Sequence, residues 1–409
     1  MMADVSVLEV LLHGEPIGTL TNVGGDRTLF AFTESYTKSW ARPTLSLGFK
    51  DQFGELITDH RPTQTKLMPF FSNLLPEAQL RTYLADLVGV NPEREFFLLW
   101  ALGADLPGSV TIRPIQGQSW LPIPNSKNAD SDTSQENALR FSLAGVQLKF
   151  SAIQEASGGL TIPATGSGGS WILKFPDQRF AGVPENEFSM MVLARMIGMD
   201  IPFVDLIDVA EIGNLPPNID QITGQALAIE RFDRLSDGTT VHIEDFAQIF
   251  RVYPGDKYKK ANYRNIATVI GAEGTTADIV EFIRRLTFNT LIGNADMHLK
   301  NWSLIYPDRR TAALAPGYDF VSTIAFLKDT GAALNFSRTR RFSQFSEDEL
   351  AHLASGAMLP RKLVLDTAKE TTDLFLQIWS GERSHLPLSK ATIKAIDAHI
   401  KTIPLATPS

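Results

Sequence analysis

The sequence predicts an α+β fold in which a small β-rich lobe is joined to a larger helical lobe, with a separate unit in front of both. Three observations support this prediction: a polar segment divides the chain, strand patterns follow it, and helix patterns dominate the remaining residues. A chain of 409 residues is also too long for one hydrophobic core, so two or three compact units are expected.

The dividing segment is rich in Pro, Ser, Asn and Asp, a composition that buries little apolar surface. It predicts a linker at residues 113–140. The N-terminal unit then spans residues 1–112, the β-rich lobe residues 141–235 and the helical lobe residues 236–409.

The N-terminal unit is predicted to begin with a β-hairpin, because Val5–Leu12 alternates in polarity and a turn signal follows it. Two helices are predicted after the hairpin, at Phe70–Leu87 and Pro92–Leu102. Asn91 is suited to cap the second helix, since Pro92 would then occupy the first helical position.

After the linker, strands are predicted first and helices later. The strands are Phe141–Ile153, Gly169–Phe175 and Leu227–Phe232. A nearly all-apolar helix, Asn186–Ile197, lies between the second and third strands and is expected to be buried. The clearest later helix is Asp278–Ile292, and others are predicted at Ser346–Ala354, Val364–Trp379 and Ile393–Thr402.

Composition excludes several kinds of site. The chain has no cysteine, which rules out disulfides, thiolate metal sites and cysteine nucleophiles. Its net charge of −8 argues against non-specific nucleic-acid binding, and the short basic segments 257–264 and 338–341 are interpreted as solvated surface. No secretory signal or apolar run of the ~20 residues needed to span a membrane is evident, so the cytosol is expected.

The residues that suggest chemistry follow the helix that is predicted to end at Gly293. A polar loop comes next, and Trp302–Tyr306 and Ala312–Ala315 are predicted to pair as a hairpin. Because a hairpin returns the chain to its starting point, Asp319 is expected to lie near Asn301.

Two carboxylates and one amide would then converge, which is the set that phosphoryl transfer requires. Asp296 and Asn301 have the five-residue spacing of the base and the metal-binding Asn in protein kinases. Asp319 is followed by Phe, as in the kinase DFG motif. Two departures are that His298 follows the aspartate instead of preceding it, and that Val321 replaces the DFG glycine.

A nucleotide clamp is predicted upstream. Lys174 ends a predicted strand and Glu187 lies in the first turn of the next helix, which is the kinase arrangement that positions phosphates. Taken alone, the pair is better explained by a surface lysine and a glutamate favoured by the helix dipole; together with the downstream loop, the clamp becomes the better interpretation. Gly145 either lets the backbone approach a phosphate or marks an ordinary β-bulge.

These segments resemble the HipA family of bacterial toxin kinases. The matching stretches occur in family order and are Phe70–Arg81, Phe141–Ser151, Trp171–Pro176, Glu185–Phe188, Ala228–Arg234, Ile292–Asn301 and Leu314–Phe320. The resemblance implies a bilobal protein-kinase-like fold, with a small β-rich N-lobe, an extra N-terminal subdomain and a larger helical C-lobe.

The resemblance also implies roles for individual residues with ATP and Mg²⁺. Asp296 would be the base, Asn301 and Asp319 would bind Mg²⁺, and Lys174 would contact phosphates with Glu187 as its ion-pair partner. The phosphate loop would comprise Ala144, Gly145, Val146, Gln147, Leu148 and Lys149. The adenine site and the rest of the nucleotide pocket would comprise Glu230, Arg231, Phe232, His298, Leu299, Lys300, Asn301, Tyr318 and Asp319.

Regulation and partners are implied in the same way. Ser142 matches the serine that family members autophosphorylate, and a phosphate there would add roughly −1.5 to −2 charge beside the ATP site. Family members phosphorylate aminoacyl-tRNA synthetases. They are restrained by a small HipB-like helix-turn-helix antitoxin, which also ties the complex to operator DNA.

Three alternatives remain open. The chain could be a non-catalytic partner on a kinase scaffold within a repressor complex, or a phosphotransferase acting on a small molecule or lipid, since a fold does not fix the acceptor. A nuclease using Asp296 and Asp319 for metal is a third, but it leaves Lys174, Glu187 and the Ser142 loop without a role.

Overall fold

The computed structural model describes residues 7–87, 89–115, 149–154, 159–162, 169–176, 180–215, 221–327 and 331–407. Three sequence predictions therefore lie outside the described residues: most of the linker, the autophosphorylation site at Ser142, and the phosphate-loop residues Ala144 to Leu148.

The N-terminal unit is built on a five-stranded antiparallel sheet. Its strands are β1 (Val7–Leu12), β2 (Glu15–Asn22), β3 (Arg27–Phe32), β4 (Thr63–Gln64) and β5 (Val110–Pro114), in the order β4-β3-β2-β1-β5. Four helices accompany the sheet: α1 (Glu34–Lys38), α2 (Pro69–Leu74), α3 (Ala78–Leu87) and α4 (Glu95–Leu102). The predicted hairpin at the start of the unit is present, since β1 and β2 pair directly.

Two helix predictions in this unit were wrong in detail. The segment predicted as one helix is broken between α2 and α3, where Leu75 has an extended ψ of 150°. Pro76 explains the break, because a residue before proline avoids the helical region. The next helix begins at Glu95, not at Pro92; Asn91 Oδ1 instead accepts a hydrogen bond of 2.8 Å from the Glu93 amide.

The middle part of the chain forms a second antiparallel sheet. Its strands are β6 (Lys149–Gln154), β7 (Leu160–Thr161), β8 (Trp171–Lys174), β9 (Val204–Asp208) and β10 (Gln225–Glu230), in the order β7-β6-β8-β10-β9. Helix α5 (Val183–Met196) covers the sheet and packs against β9 and β10. The predicted burial of this helix is confirmed: Met190, Met191 and Leu193 are fully buried.

The C-terminal part is mainly helical. Its helices are α6 (Phe246–Ile249), α7 (Tyr263–Glu273), α8 (Thr276–Leu291), α9 (Glu347–Gly356), α10 (Arg361–Glu382) and α11 (Lys390–Ile400). A small sheet of β11 (His242–Asp245), β12 (Ser303–Tyr306) and β13 (Ala313–Leu314) carries the predicted hairpin, β12–β13. None of the helices within the described ranges is long and apolar enough to cross a membrane.

One hydrophobic core joins the second sheet to the helical lobe. Met190 and Leu193 of α5 and Leu227 of β10 belong to the same buried cluster as Phe282 and Leu286 of α8. The N-terminal unit has its own core, centred on the aromatic side chains Phe30, Phe71 and Trp100. Because close-packed cores resist relative movement, the shared core fixes β8 and α5 with respect to the loop that follows α8.

A buried glutamate links the N-terminal unit to the helical lobe. Glu244 of β11 accepts hydrogen bonds from the Ser46 and Tyr306 hydroxyls and from the Leu47 amide. It is 1% exposed, and no basic side chain in the described part of the chain forms an ion pair with it. Burial therefore raises the pKa of Glu244 to about 7.

We expect Glu244 to make stability fall as pH rises from about 4.5 to about 7. In this interval the unfolded chain releases the proton while the folded protein keeps it, so folding becomes less favourable. The loss attributable to this group should reach at most ~3 kcal/mol. Urea unfolding at several pH values should show a flatter dependence for Glu244→Gln than for the wild type.

Glu349 provides the matched control for that comparison. It is equally buried, but Arg338 and nearby amides lower its pKa despite the opposing effect of burial. Glu349→Gln should therefore not remove the loss of stability between acidic and neutral pH. A Glu244→Gln protein whose stability falls as steeply as that of the wild type would contradict the assignment.

Candidate active site

The loop after α8 is held by one buried asparagine. Gly293 ends the helix with a φ of +67°, and a Cβ there would meet the Ile324 side chain at 2.6 Å. Asn294 then donates to Asn289 Oδ1 (2.9 Å) and to the Asp319 carbonyl (3.3 Å), and accepts from the Asp296 amide (3.0 Å). One side chain thus ties together the helix, the loop and the segment that carries Asp319.

Asn301 closes the same loop five residues after Asp296. Its Nδ2 donates to the Asp296 carbonyl oxygen at 2.9 Å, within a short 3-10 turn at Leu299–Asn301. Since the amide nitrogen is committed to this bond, the amide orientation is fixed and the oxygen is directed away from that carbonyl. The bond therefore ties Asn301 to the backbone of Asp296 and fixes how the amide is oriented in the loop.

Asp319 adopts a left-handed backbone conformation, with a φ of +63°. Such a conformation costs an ordinary residue roughly 1–2 kcal/mol and persists where the surroundings impose it. Two contacts impose it here. Phe320 is buried against Phe288, and the Asn186 side chain exchanges hydrogen bonds of 2.9 and 3.0 Å with the Ser322 backbone.

Lys174 connects the second sheet to this loop. Its Nζ lies 2.6 Å from Glu187 Oε1 of α5 and also contacts Asp319 Oδ1. Burial opposes the charge on Lys174, but Asp319 and Glu187 together raise its pKa. Burial likewise opposes ionisation of Asp319, but Lys174 outweighs it and lowers the pKa of Asp319. The Lys174–Asp319 pair is therefore charged.

Glu187 differs from Asp319 because burial dominates. Burial raises the pKa of Glu187 to about 7, and the nearby charge of Asp319 adds to this effect. Lys174 thus pairs with two carboxylates. Two carboxylates so close together favour a nearby cation, so the residues present fit a Mg²⁺ ion.

The ligand atoms available also suit Mg²⁺. This ion prefers oxygen ligands, and it is usually held by one or two carboxylates with substrate phosphates and water. The Asn301 amide oxygen and the Asp319 carboxylate would be such ligands. No cluster of three or more His, Asp or Glu side chains arranged to hold a metal occurs among the described residues. Two protein ligands would leave room for the phosphate oxygens and water that usually complete the coordination of Mg²⁺.

Lys149 of β6 lies opposite Lys174 of β8 in the antiparallel register. Directly opposed residues of an antiparallel pair project on the same face of the sheet, so both ammonium groups lie on the side of Asp319. Lys149 is exposed, whereas Lys174 is buried.

The predicted adenine-site residues lie at the end of β10. The Phe232 and Tyr318 rings are 5.9 Å apart, and the Tyr318 hydroxyl contacts Ser303 Oγ (2.6 Å) and the Lys300 carbonyl (2.9 Å). Glu230 is exposed, while the Arg231 guanidinium forms two 2.9 Å hydrogen bonds with the Asp233 carboxylate. The Arg231 side chain is therefore committed to a structural ion pair.

Several of the other predicted pocket residues also have side chains with structural roles. Leu299 is fully buried in the core, and Lys300 Nζ donates to the Asn73 carbonyl (2.7 Å) and pairs with Asp245 (3.2 Å). Burial, with Lys257 nearby, lowers the pKa of His298 to about 3, so this ring is neutral. The side chains of Leu299 and Lys300 serve the fold, which leaves their backbone for any contact with a nucleotide.

Sequence reasoning missed three residues around the loop. Tyr258 donates a hydrogen bond to Asp296 Oδ1. Lys257 pairs with Glu77 of the N-terminal unit at 2.8 Å. The basic segment 257–264 is predicted to be solvated surface, because short basic motifs often have no specific role. The tyrosine between Lys257 and Lys259 is the local signal that could have indicated one.

Comparison with known proteins agrees with this architecture. Residues 141–379 match the family described as the HipA-like C-terminal domain, and residues 8–113 match the HipA N-terminal domain. A Sinorhizobium fredii protein named as a kinase, Y4dM, is 56% identical over 407 residues, covering 99% of this chain and 98% of its own length.

More distant relatives include a toxin and a solved structure. The serine/threonine-protein kinase toxin HipA of Shewanella oneidensis is 25% identical, with 99% of this chain and 95% of the toxin aligned. The solved Shewanella oneidensis complex of HipA, HipB and operator DNA contains a chain with a TM-score of 0.73 and 22% identity, covering 98% of this chain and 96% of its own.

The two family matches together cover most of the chain, and the solved structure shares its arrangement of lobes along nearly the whole length. The predicted bilobal kinase-like fold, with an extra N-terminal subdomain, is thereby confirmed. The chain belongs to the HipA family.

Proposed function

We propose that this protein is an ATP- and Mg²⁺-dependent serine/threonine protein kinase. The observation that carries the proposal is the meeting of Lys174, Glu187 and Asp319 beside the loop that holds Asp296 and Asn301. Relatives named as kinases support the same reaction class. The nuclease alternative gives no role to the Lys174–Glu187 pair.

In this mechanism each side chain has one task. Asp296 orients the acceptor hydroxyl and accepts its proton as the new oxygen–phosphorus bond forms and ADP departs. Lys174 holds the phosphates, and Glu187 keeps the ammonium group in place. Asn301 and Asp319 would hold Mg²⁺, which when bound neutralises charge on the phosphates.

The contact between Lys174 and Asp319 fits this mechanism, because it places the cation proposed for the phosphates next to the carboxylate proposed for Mg²⁺. Burial raises the pKa of Asp296, although the hydrogen bond from Tyr258 opposes this effect. A carboxylate with a raised pKa is a better proton acceptor at neutral pH than an exposed one.

We extend the proposal to partners through the family. The Shewanella oneidensis relative was solved with HipB and operator DNA, which supports a helix-turn-helix antitoxin as the partner of this chain and operator contact mainly through that partner. A translation protein such as an aminoacyl-tRNA synthetase would be the acceptor. Autophosphorylation of Ser142 would place a phosphate beside the ATP site and switch the kinase off.

The test is incubation of the purified protein with γ-labelled ATP and Mg²⁺, with EDTA as the control. Label on Ser142 that requires Mg²⁺ supports the proposal, and Ser142→Ala should then keep its activity longer than the wild type. Label found only on an added small molecule would favour a small-molecule phosphotransferase. ATP that remains intact under all conditions would favour a non-catalytic partner in a repressor complex.

A further inference from the structure

Tyr258 lies beside the catalytic loop, and the mechanism above does not use it. Its hydroxyl donates to Asp296 Oδ1. Tyr258 is 44% exposed, so it is not a core side chain. Burial and the nearby Asp296 raise the pKa of Tyr258, which keeps the phenol protonated and able to donate.

The segment that carries Tyr258 is anchored at three points. The Leu299 amide of the catalytic loop donates to the Lys257 carbonyl at 3.4 Å. Lys257 Nζ lies 2.8 Å from Glu77 of the N-terminal unit. The Tyr258 ring meets the His298 ring edge to face, with centroids 4.9 Å apart. These contacts fix the position of the hydroxyl relative to the loop.

The hydrogen bond leaves one oxygen of Asp296 available. A carboxylate has two oxygens, and Tyr258 occupies Oδ1, so Oδ2 can accept the proton of an incoming hydroxyl. No lysine, arginine or histidine of the described residues forms an ion pair with the Asp296 carboxylate. Orientation of this group therefore depends on Tyr258.

We propose that Tyr258 is a positioning residue that holds the Asp296 carboxylate by one oxygen and so aims the other at the acceptor hydroxyl. The proposal rests on the function proposed above for Asp296. It also gives the N-terminal unit a part in catalysis, because Glu77 fixes the position of the neighbouring Lys257.

The variant that isolates this role is Tyr258→Phe. It removes the hydroxyl and keeps the ring against His298. We expect kcat for phosphate transfer to fall about tenfold to a hundredfold, as for a lost hydrogen bond to a charged group, with an unchanged KM for ATP. Tyr253→Phe is the matched control, since it lies on the same segment and should leave kcat unchanged.

Two double-mutant cycles with Asp296→Ala test whether Tyr258 acts through Asp296. In urea unfolding, Tyr258→Phe should lower stability in the wild-type background and have no effect in Asp296→Ala, where the hydroxyl has lost its partner. In phosphate transfer, the kcat loss should likewise be absent from the Asp296→Ala background. If Tyr258 were purely structural, Tyr258→Phe would lower stability by the same amount, and kcat by the same factor, with or without Asp296→Ala.

The outcomes separate this proposal from the proposed function. The unfolding cycle needs no activity, and absence of coupling there overturns the positioning role. An active wild type whose kcat survives Tyr258→Phe, or rises because the hydroxyl had blocked the acceptor, overturns the positioning role alone. A wild type that transfers no phosphate overturns the proposed function and the positioning role with it.

Discussion

Asp296→Asn should lower kcat for phosphate transfer by about 10²- to 10⁴-fold, the usual contribution of a general base. The substitution keeps the shape of the side chain. It also keeps an acceptor for the Tyr258 hydroxyl and leaves the Asp296 backbone carbonyl for Asn301. What is lost is the group that accepts a proton, so affinity for ATP should remain unchanged.

Single-turnover experiments measure the rate of phosphate transfer, and calorimetric titration with an ATP analogue measures the affinity for the nucleotide. Asp366→Asn is the matched control, because that carboxylate is exposed on α10 and pairs with Lys362 of the same helix. The control should leave kcat unchanged. An Asp296→Asn protein that retains most of the wild-type rate would exclude Asp296 as the base.

Lys174→Met should have the second largest effect, and it should act on both stability and nucleotide binding. The ammonium group is the shared partner of Glu187 and Asp319, so its removal leaves both carboxylates without their ion-pair partner. Breaking a buried ion pair from one side typically costs about 3–5 kcal/mol. ATP affinity should fall as well, because the phosphates lose their cationic contact.

A double variant separates the two effects of Lys174→Met. Adding Glu187→Gln removes one of the stranded charges, so Lys174→Met/Glu187→Gln should recover part of the lost stability in urea unfolding. It should recover none of the ATP affinity, because no ammonium group returns. If Lys174→Met binds ATP as tightly as the wild type while losing only stability, the lysine is structural and the proposed contact between Lys174 and the phosphates is wrong.

Several features of the site could be predicted from local sequence. Gly293 is typical of the residue that ends a helix, as it does after α8. Two strand patterns on either side of a turn predict the hairpin β12–β13. The spacing of Asp296 and Asn301 is also local. These features depend on backbone preferences over a few residues, so a single sequence is sufficient to predict them.

The features that were missed depend on contacts between distant segments. Glu77 and Lys257 are 180 residues apart, and nothing near either residue indicates that they pair. The Arg231 side chain is likewise held by Asp233 and by Asp105, and nothing local indicates the second partner, which is 126 residues away. Such contacts arise from docking of the N-terminal unit.

The break at Pro76 is a different case, because the sequence does contain the signal. A residue before proline avoids the helical region, so Leu75 is where a helix should end. The prediction of one continuous helix over Phe70–Leu87 overlooked this signal. The break matters for the site. Asn73, in the last turn of α2, accepts from Lys300, and Glu77, just before α3, pairs with Lys257.

The most direct test of the account is a crystal structure of the wild-type protein with Mg²⁺ and a non-hydrolysable ATP analogue. We expect the metal ion to be bound by the Asn301 amide oxygen and the Asp319 carboxylate, and Lys174 to contact the phosphates while it keeps Glu187. A nucleotide bound elsewhere, or a metal ion that neither Asn301 nor Asp319 touches, would contradict it.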